Sequence, residues 1–120
     1  MSALTLTLKN SPEQRIDMSP LVCHLLKTLA VEDIAALTLQ SGKRKLRVDE
    51  LFTIEGSDSQ QLIIKNSHEK LDFIGKDLDG GSISIDGNAG AYLAMGMKAG
   101  DIKVSGNAGL YTACEMKKDI

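Results

Sequence analysis

Residues 81–98 read Gly-Ser-Ile-Ser-Ile-Asp-Gly-Asn-Ala-Gly-Ala-Tyr-Leu-Ala-Met-Gly-Met-Lys, and residues 100–117 read Gly-Asp-Ile-Lys-Val-Ser-Gly-Asn-Ala-Gly-Leu-Tyr-Thr-Ala-Cys-Glu-Met-Lys. A shift of nineteen pairs Ile83 with Ile102, Ile85 with Val104, Asn88 with Asn107 and Tyr92 with Tyr111. A short fixed period marks units laid one on the next, because a single unit cannot bury its own apolar face. Strand alternation sends Ile83, Ile85, Ile102 and Val104 to one side and Ser84 and Lys103 to the other. Nine of the 11 glycines lie between Gly75 and Gly109. Gly81, Gly87, Gly90, Gly100, Gly106 and Gly109, with Asn88 and Asn107, are therefore expected at the turns of each coil. Turns need positive φ or close backbone approach, and Gly87 and Gly106 are expected at positive φ. Stacked strands lie ~4.8 Å apart, so the Asn88/Asn107 and Tyr92/Tyr111 pairs would form ladders of like side chains. The expected fold is mainly β: a right-handed parallel β-helix of about 19-residue rungs, preceded by a small α+β N-terminal cap.

Working backwards, the repeat begins imperfectly at Gln61. Leu62 and Ile64 match Ile83 and Ile85 if a two-residue insertion follows, while Phe73 precedes Tyr92 and Leu78 precedes Met97 by nineteen. His68 and Leu71 stand where the later units carry glycine, which makes this an atypical capping rung. The division is thus a strand and helix cap over 1–60 and Gly-rich repeats over 61–120. Within the cap, Leu4-Thr-Leu-Thr-Leu8 alternates as a half-buried strand. Ser19-Pro20 reads as a helix start with Ser19 as N-cap, Leu21, Val22, Leu25, Leu26 and Leu29 forming one face. Val31–Leu37 reads as a second short helix with Ile34 and Leu37 inward. Ser41-Gly42 is a turn, residues 45–54 return to strand alternation, and Gly56-Ser-Asp-Ser59 breaks it.

The 120 residues allow at most one domain. Apolar content of 42% with 25% charged is ordinary for a globular chain, and at 3% aromatic the core must rest on aliphatic side chains. The net charge of −2 argues against a nucleic-acid footprint. Lys43-Arg44-Lys45 with Arg47 reads as a solvated loop and strand start. No apolar run of ~18 residues and no signal pattern occurs, and the two cysteines, Cys23 and Cys114, lack disulfide or metal spacing. A cytoplasmic chain is expected.

Chemistry-bearing motifs are thin. Gly90 and Gly96 do not have the spacing of a phosphate loop, and Gly87-Asn-Ala-Gly90 does not supply a dinucleotide fingerprint. Gly80-Gly-Ser-Ile-Ser-Ile-Asp86 has Ile where a calcium β-roll needs its third glycine. His24 lies in an apolar helical stretch and His68 in a polar loop. Asp77/Asp79 and Glu32/Asp33 read as turn and helix-start residues. No catalytic, cofactor-binding or metal-ligating set is assembled from these positions, although an enzyme using His24 or His68 is one class to test.

Four stretches together carry a family likeness: Leu4-Thr-Leu-Thr-Leu-Lys9, Ile34-Ala-Ala-Leu-Thr-Leu39, Val48-Asp-Glu-Leu-Phe-Thr-Ile54 and the two Gly-Asn-Ala-Gly repeats. In this order they resemble the C subunit of formylmethanofuran dehydrogenase, particularly the version in the formyltransferase/hydrolase complex of methylotrophic bacteria. The repeat alone also looks like the β-helix domain of the glutamate synthase large subunit. The resemblance implies a non-catalytic β-helical scaffold that binds no cofactor itself. Its partners would be the other subunits, carrying the amidohydrolase-type centre, the formyl-transfer site and, in the dehydrogenases, molybdenum or tungsten and iron–sulfur clusters. The implied setting is one-carbon metabolism on methanofuran-type and tetrahydromethanopterin carriers. The family usually carries many more rungs, whereas this sequence ends at Ile120. The expectation that follows is a short variant, a fragment, or a stand-alone short β-helix that self-associates through its open end in a binding or regulatory role. Neither nucleic acid nor membrane is an expected partner.

Overall fold

The computed structural model describes residues 3–107, so Gly109, Tyr111 and Cys114 lie outside the described part. The elements run β1 (Ala3–Leu8), β2 (Ile16–Asp17), α1 (Cys23–Leu26), α2 (Val31–Ala36), β3 (Thr38–Ser41), β4 (Arg44–Arg47), α3 (Val48–Leu51), β5 (Phe52–Glu55), β6 (Asp58–Ser67), β7 (Leu71–Asp72), β8 (Asp79–Gly87) and β9 (Ala99–Val104). They form two sheets, of strand order β5-β1-β6-β8-β9 and β4-β3-β2-β7. The described chain is mainly β.

The nineteen-residue period is realised as parallel strands in register. Ile83 pairs with Ile102 and Ile85 with Val104, while on the other side Leu62 pairs with Ile83 and Ile64 with Ile85. Alternation does what the sequence requires: Leu62, Ile64, Ile83, Ile85 and Ile102 are buried, Val104 packs partly against them, and Ser84 and Lys103 face solvent. The two extra residues of the first unit are absorbed at an irregularity between Ile64 and Ser67. As a result Ser67, not His68, lies beside Gly87.

The stack also reaches further back than Gln61. Strand β1 runs parallel to β6, placing Leu4 beside Leu62 and Leu6 beside Ile64, and β2 runs parallel to β7, placing Ile16 beside Leu71 and Asp17 beside Asp72. Residues 3–17 are therefore a coil laid beneath the first recognised unit. Part of the signal is in the sequence: Ile16-Asp17 matches Leu71-Asp72 in the observed register, whereas Lys9-Asn-Ser-Pro-Glu13 resembles Lys65-Asn-Ser-His-Glu69 two residues out of the β1/β6 register, in which Thr7 lies beside Lys65. The pairing offset, 58 residues at β1 and 55 at β2, is not the period of nineteen, because an excursion over 18–57 separates the two coils.

That excursion corrects two expectations. Ser19-Pro20 does not start a helix. The Asp17 carboxylate accepts the Ser19 N–H at 2.9 Å and the Met18 carbonyl accepts the Leu21 N–H at 3.0 Å, which makes a turn. Helix α1 starts at Cys23 without a side-chain cap, and only Cys23 and Leu26 of its four residues are buried. Leu25 consequently points outward at 53% exposure. Residues 45–54 are not one strand either. The Arg47 N–H donates to the Glu50 carboxylate at 3.3 Å, Asp49 and Glu50 sit in the first turn, and the Val48 N–H donates to the Leu37 carbonyl at 2.8 Å. Acidic side chains at that turn support a helical start, and α3 interrupts the alternation where the chain leaves one sheet for the other. It carries the chain from β4 in one sheet to β5 in the other. Helix α2 forms with Ile34 buried and Leu37 partly buried, and the β3–β4 hairpin turns at Gly42, with φ of +60°.

Candidate functional site

The side of the coils between β7 and β8 repeats the same backbone contacts from one unit to the next. Phe73, Gly75 and Asp77 all have left-handed φ, and so do Tyr92, Ala94 and Gly96 nineteen residues on. Each coil closes the same two turns here. Lys76 N–H donates to Phe73 O at 3.2 Å and Leu78 N–H to Gly75 O at 3.0 Å; Met95 N–H donates to Tyr92 O at 3.2 Å and Met97 N–H to Ala94 O at 3.1 Å. A phenylalanine, a tyrosine and an alanine persist in this region only where the surroundings over-determine them. The restraint comes from bonds between coils: Phe73 N–H to Ala91 O at 3.0 Å, Asp77 N–H to Met95 O at 2.8 Å, Ala94 N–H to Ile74 O at 2.8 Å and Lys98 N–H to Leu78 O at 2.8 Å.

Two side-chain features fall on this wall. The Phe73 and Tyr92 rings stack at 5.0 Å with 4° between planes, and the Lys76 ammonium lies 5.4 Å from the Phe73 centroid. This begins a ladder of like rings, although the Tyr92/Tyr111 step lies outside the described residues. Asp72, 9% exposed, joins three coils. Its carboxylate takes two hydrogen bonds from Arg15, both 2.7 Å, and one from the Ala91 N–H at 2.8 Å. Arg15 also donates to the Glu69 carbonyl at 2.9 Å, and its bond to Asp72 holds the guanidinium pKa above its ordinary value. We expect Asp72→Ala to lower stability by about 2 kcal/mol, because it strands the Ala91 N–H and removes both charge-assisted bonds from Arg15. Arg15→Ala should cost less, since its side chain is 56% exposed and solvent screens the charge. Urea unfolding of both variants reads the difference.

The expected turn residues take several roles. Gly81 and Gly100 have φ of +80° and +99° near the irregular starts of β8 and β9, and Gly87 has φ of +123° where β8 ends. Gly106 is a correction, since it is not at positive φ: a Cβ there would run into the Gly87 carbonyl and the Asn88 side chain. Gly90 is likewise required by closeness. The expected Asn88/Asn107 ladder is corrected as well: the Asn88 side-chain oxygen accepts the Asn107 backbone N–H at 2.9 Å, so the link runs from side chain to main chain. Both histidines serve the backbone too, His24 Nδ1 accepting the Asp79 N–H at 3.1 Å and His68 Nδ1 the Lys70 N–H at 3.2 Å. Burial pushes the Cys23 thiol pKa up, and its sulfur lies 3.5 Å from the Ser82 carbonyl.

Among the described residues no cluster of three or more His, Cys, Asp or Glu side chains could hold a metal ion. No helix among them is long and apolar enough to cross a membrane. A cleft of about 240 Å³ lies between the 9–14 loop and the β3–β4 hairpin, lined by Ile16, Leu46 and Leu51 and by Lys9, Glu13 and Arg44.

No family model matches the chain. It is 29% identical over 95 residues to the C subunit of the tungsten-containing formylmethanofuran dehydrogenase 2 of Methanococcus maripaludis, covering 78% of this chain and 35% of the relative. It is 32% identical over 89 residues to the C subunit of the formyltransferase/hydrolase complex Fhc of Methylorubrum extorquens, covering 74% of this chain and 34% of the relative. The crystal structure of that organism's formyltransferase/hydrolase complex with methylofuran contains a chain matching with a TM-score of 0.84 at 32% identity, over 92% of this chain and 42% of the other. The chain spans about a third of the length of the curated relatives it matches. Sequence and fold agree, and the chain is a homologue of the C subunits of the formylmethanofuran dehydrogenases and of the related formyltransferase/hydrolase complex.

Proposed function

We propose that this chain acts as a scaffold of the C-subunit type, not as the reaction centre, in an assembly of the formyltransferase/hydrolase kind. The observation that carries this reading is the match to a chain of the solved complex at a TM-score of 0.84 over 92% of the length. In support, four of the described side chains with chemical capacity are engaged by the fold: Asp72 by Arg15 and Ala91, His24 and His68 by backbone N–H groups, and Cys23 by the core. The stacked coils would be turns of a right-handed parallel β-helix, the hand that crossovers between parallel strands of one sheet almost always take. The other subunits would supply the amidohydrolase-type and formyl-transfer centres, in cytoplasmic one-carbon metabolism on tetrahydromethanopterin-linked carriers, with no cofactor held by this chain.

Co-expression with the amidohydrolase-like and formyltransferase-like chains of its own organism is the test. Copurification in fixed ratio is expected, with formyl transfer lost when this chain is omitted; failure of either chain to copurify would refute the reading. A second reading, a self-associating short β-helix with a binding or regulatory role, draws on β9, which pairs on one side only among the described residues. Sedimentation of the chain alone separates the two, since a stable monomer excludes self-association.

A further inference from the structure

Strand β5 is out of keeping with its sheet. β1, β6, β8 and β9 run parallel, whereas β5 pairs antiparallel with β1 through Thr5–Glu55, Leu6–Ile54, Thr7–Thr53 and Leu8–Phe52. It is four residues long and arrives directly from α3. Phe52, fully buried, anchors it, Ile54 packs partly on the core, and the Lys9 N–H donates to the Leu51 carbonyl at 3.0 Å where the strap begins. Its outward side chains, Thr53 and Glu55, are exposed.

What it covers is distinctive. Ala3-Leu-Thr-Leu-Thr-Leu8 contains no charge, glycine or proline, and among the described residues it is the one strand of the five-stranded sheet without a charged side chain. Six-residue segments of that composition with a bare edge are the ones that pair with copies of themselves. β8 and β9 carry their own protection in Asp86, Asp101 and Lys103. β1 has none within its length and relies on β5.

We propose that β5 is an autoinhibitory strap, and that releasing it converts the β1 edge into a homodimerisation surface whose occupant is β1 of a second copy. The direction fits: β5 lies antiparallel to β1, so a second β1 taking its place antiparallel yields a two-fold, isologous pair. The Leu-Thr alternation is self-complementary in that pairing, leucines meeting on the buried face and threonines on the other. This inference stands independently of the scaffold reading.

The test uses two proline variants of the full chain, Thr53→Pro and Ile54→Pro, measured by sedimentation. Neighbouring N–H groups of a strand point to opposite edges, so one of the two residues bonds β1 and the other does not. The variant losing its bond to β1 should double in mass relative to the parent while keeping the parent's strand signal in circular dichroism. Adding Thr5→Lys and Thr7→Lys to that variant should restore the parent's mass, because like charges then face each other across the new pair whether it is centred on Thr5 or on Leu6. Retention of the parent's mass by both folded proline variants overturns the proposal. Association that the two lysines leave unchanged also overturns it, because unfolded chains sticking together would not respond to charges confined to β1.

Discussion

Gly90→Val is expected to lower stability by about 3–5 kcal/mol, a large part of what a domain of this size possesses. Gly90 is not at positive φ, so the cost does not come from backbone preference. It comes from the coil below: a Cβ at this position would stand 2.7 Å from the Leu71 carbonyl oxygen and 2.8 Å from that of Glu69, and it would overlap the Asp72 carboxylate as well. Carbonyl oxygens already committed to the fold cannot move aside as a flexible side-chain tip can. Valine would push the two coils apart where Gly90 N–H meets Leu71 O at 2.8 Å and Ala91 N–H meets Asp72 at 2.8 Å. Gly80→Ala is the control, with nothing within 4 Å of the added carbon and only the φ of +113° against it, at about 1–2 kcal/mol. Thermal and urea unfolding give the comparison. A Gly90→Val protein within about 1 kcal/mol of the parent would mean that the coils do not approach this closely.

Ile83→Ala is expected to cost about 3 kcal/mol, and Ser84→Ala less than about 0.5 kcal/mol. Ile83 is 1% exposed and lies between Leu62 on one coil and Ile102 on the next, so truncation opens a void bounded on both sides by the stack. Ser84 is its neighbour in the same strand and points to solvent. Equal losses at the two positions would contradict the inward and outward assignment on which the buried column from Leu4 to Ile102 depends.

The later coils were legible because their information is local. Period two within a strand and period nineteen between strands are both written as residue types, and burial follows from them directly. The role of Gly90 was legible as a turn position, yet its reason was not, since the sequence does not say which carbonyl lies beneath it. Asp72 was missed as a tie between coils: its donors, Arg15 and Ala91, are 57 and 19 residues away, and no spacing rule joins them. The helical turn at Val48–Leu51 was also missed, because Leu46 and Val48 keep the strand period of two and Leu51, three residues beyond Val48, is the one departure from it. The crossing between sheets decides for the helix, and the Arg47–Glu50 cap only supports it.

By itself the sequence determined that units of nineteen residues stack with Ile83, Ile85, Ile102 and Val104 inward, since repetition leaves a coil's apolar edge no cheaper neighbour than the next coil. Only the tertiary structure decided that Leu4–Leu8 and Ile16 belong to the same stack and that Phe52–Glu55 returns to close its edge. The excursion over residues 18–57 erases the period without changing the pairing. Hydrogen-bond partners between strands are chosen by the geometry of the sheet, not by distance along the chain.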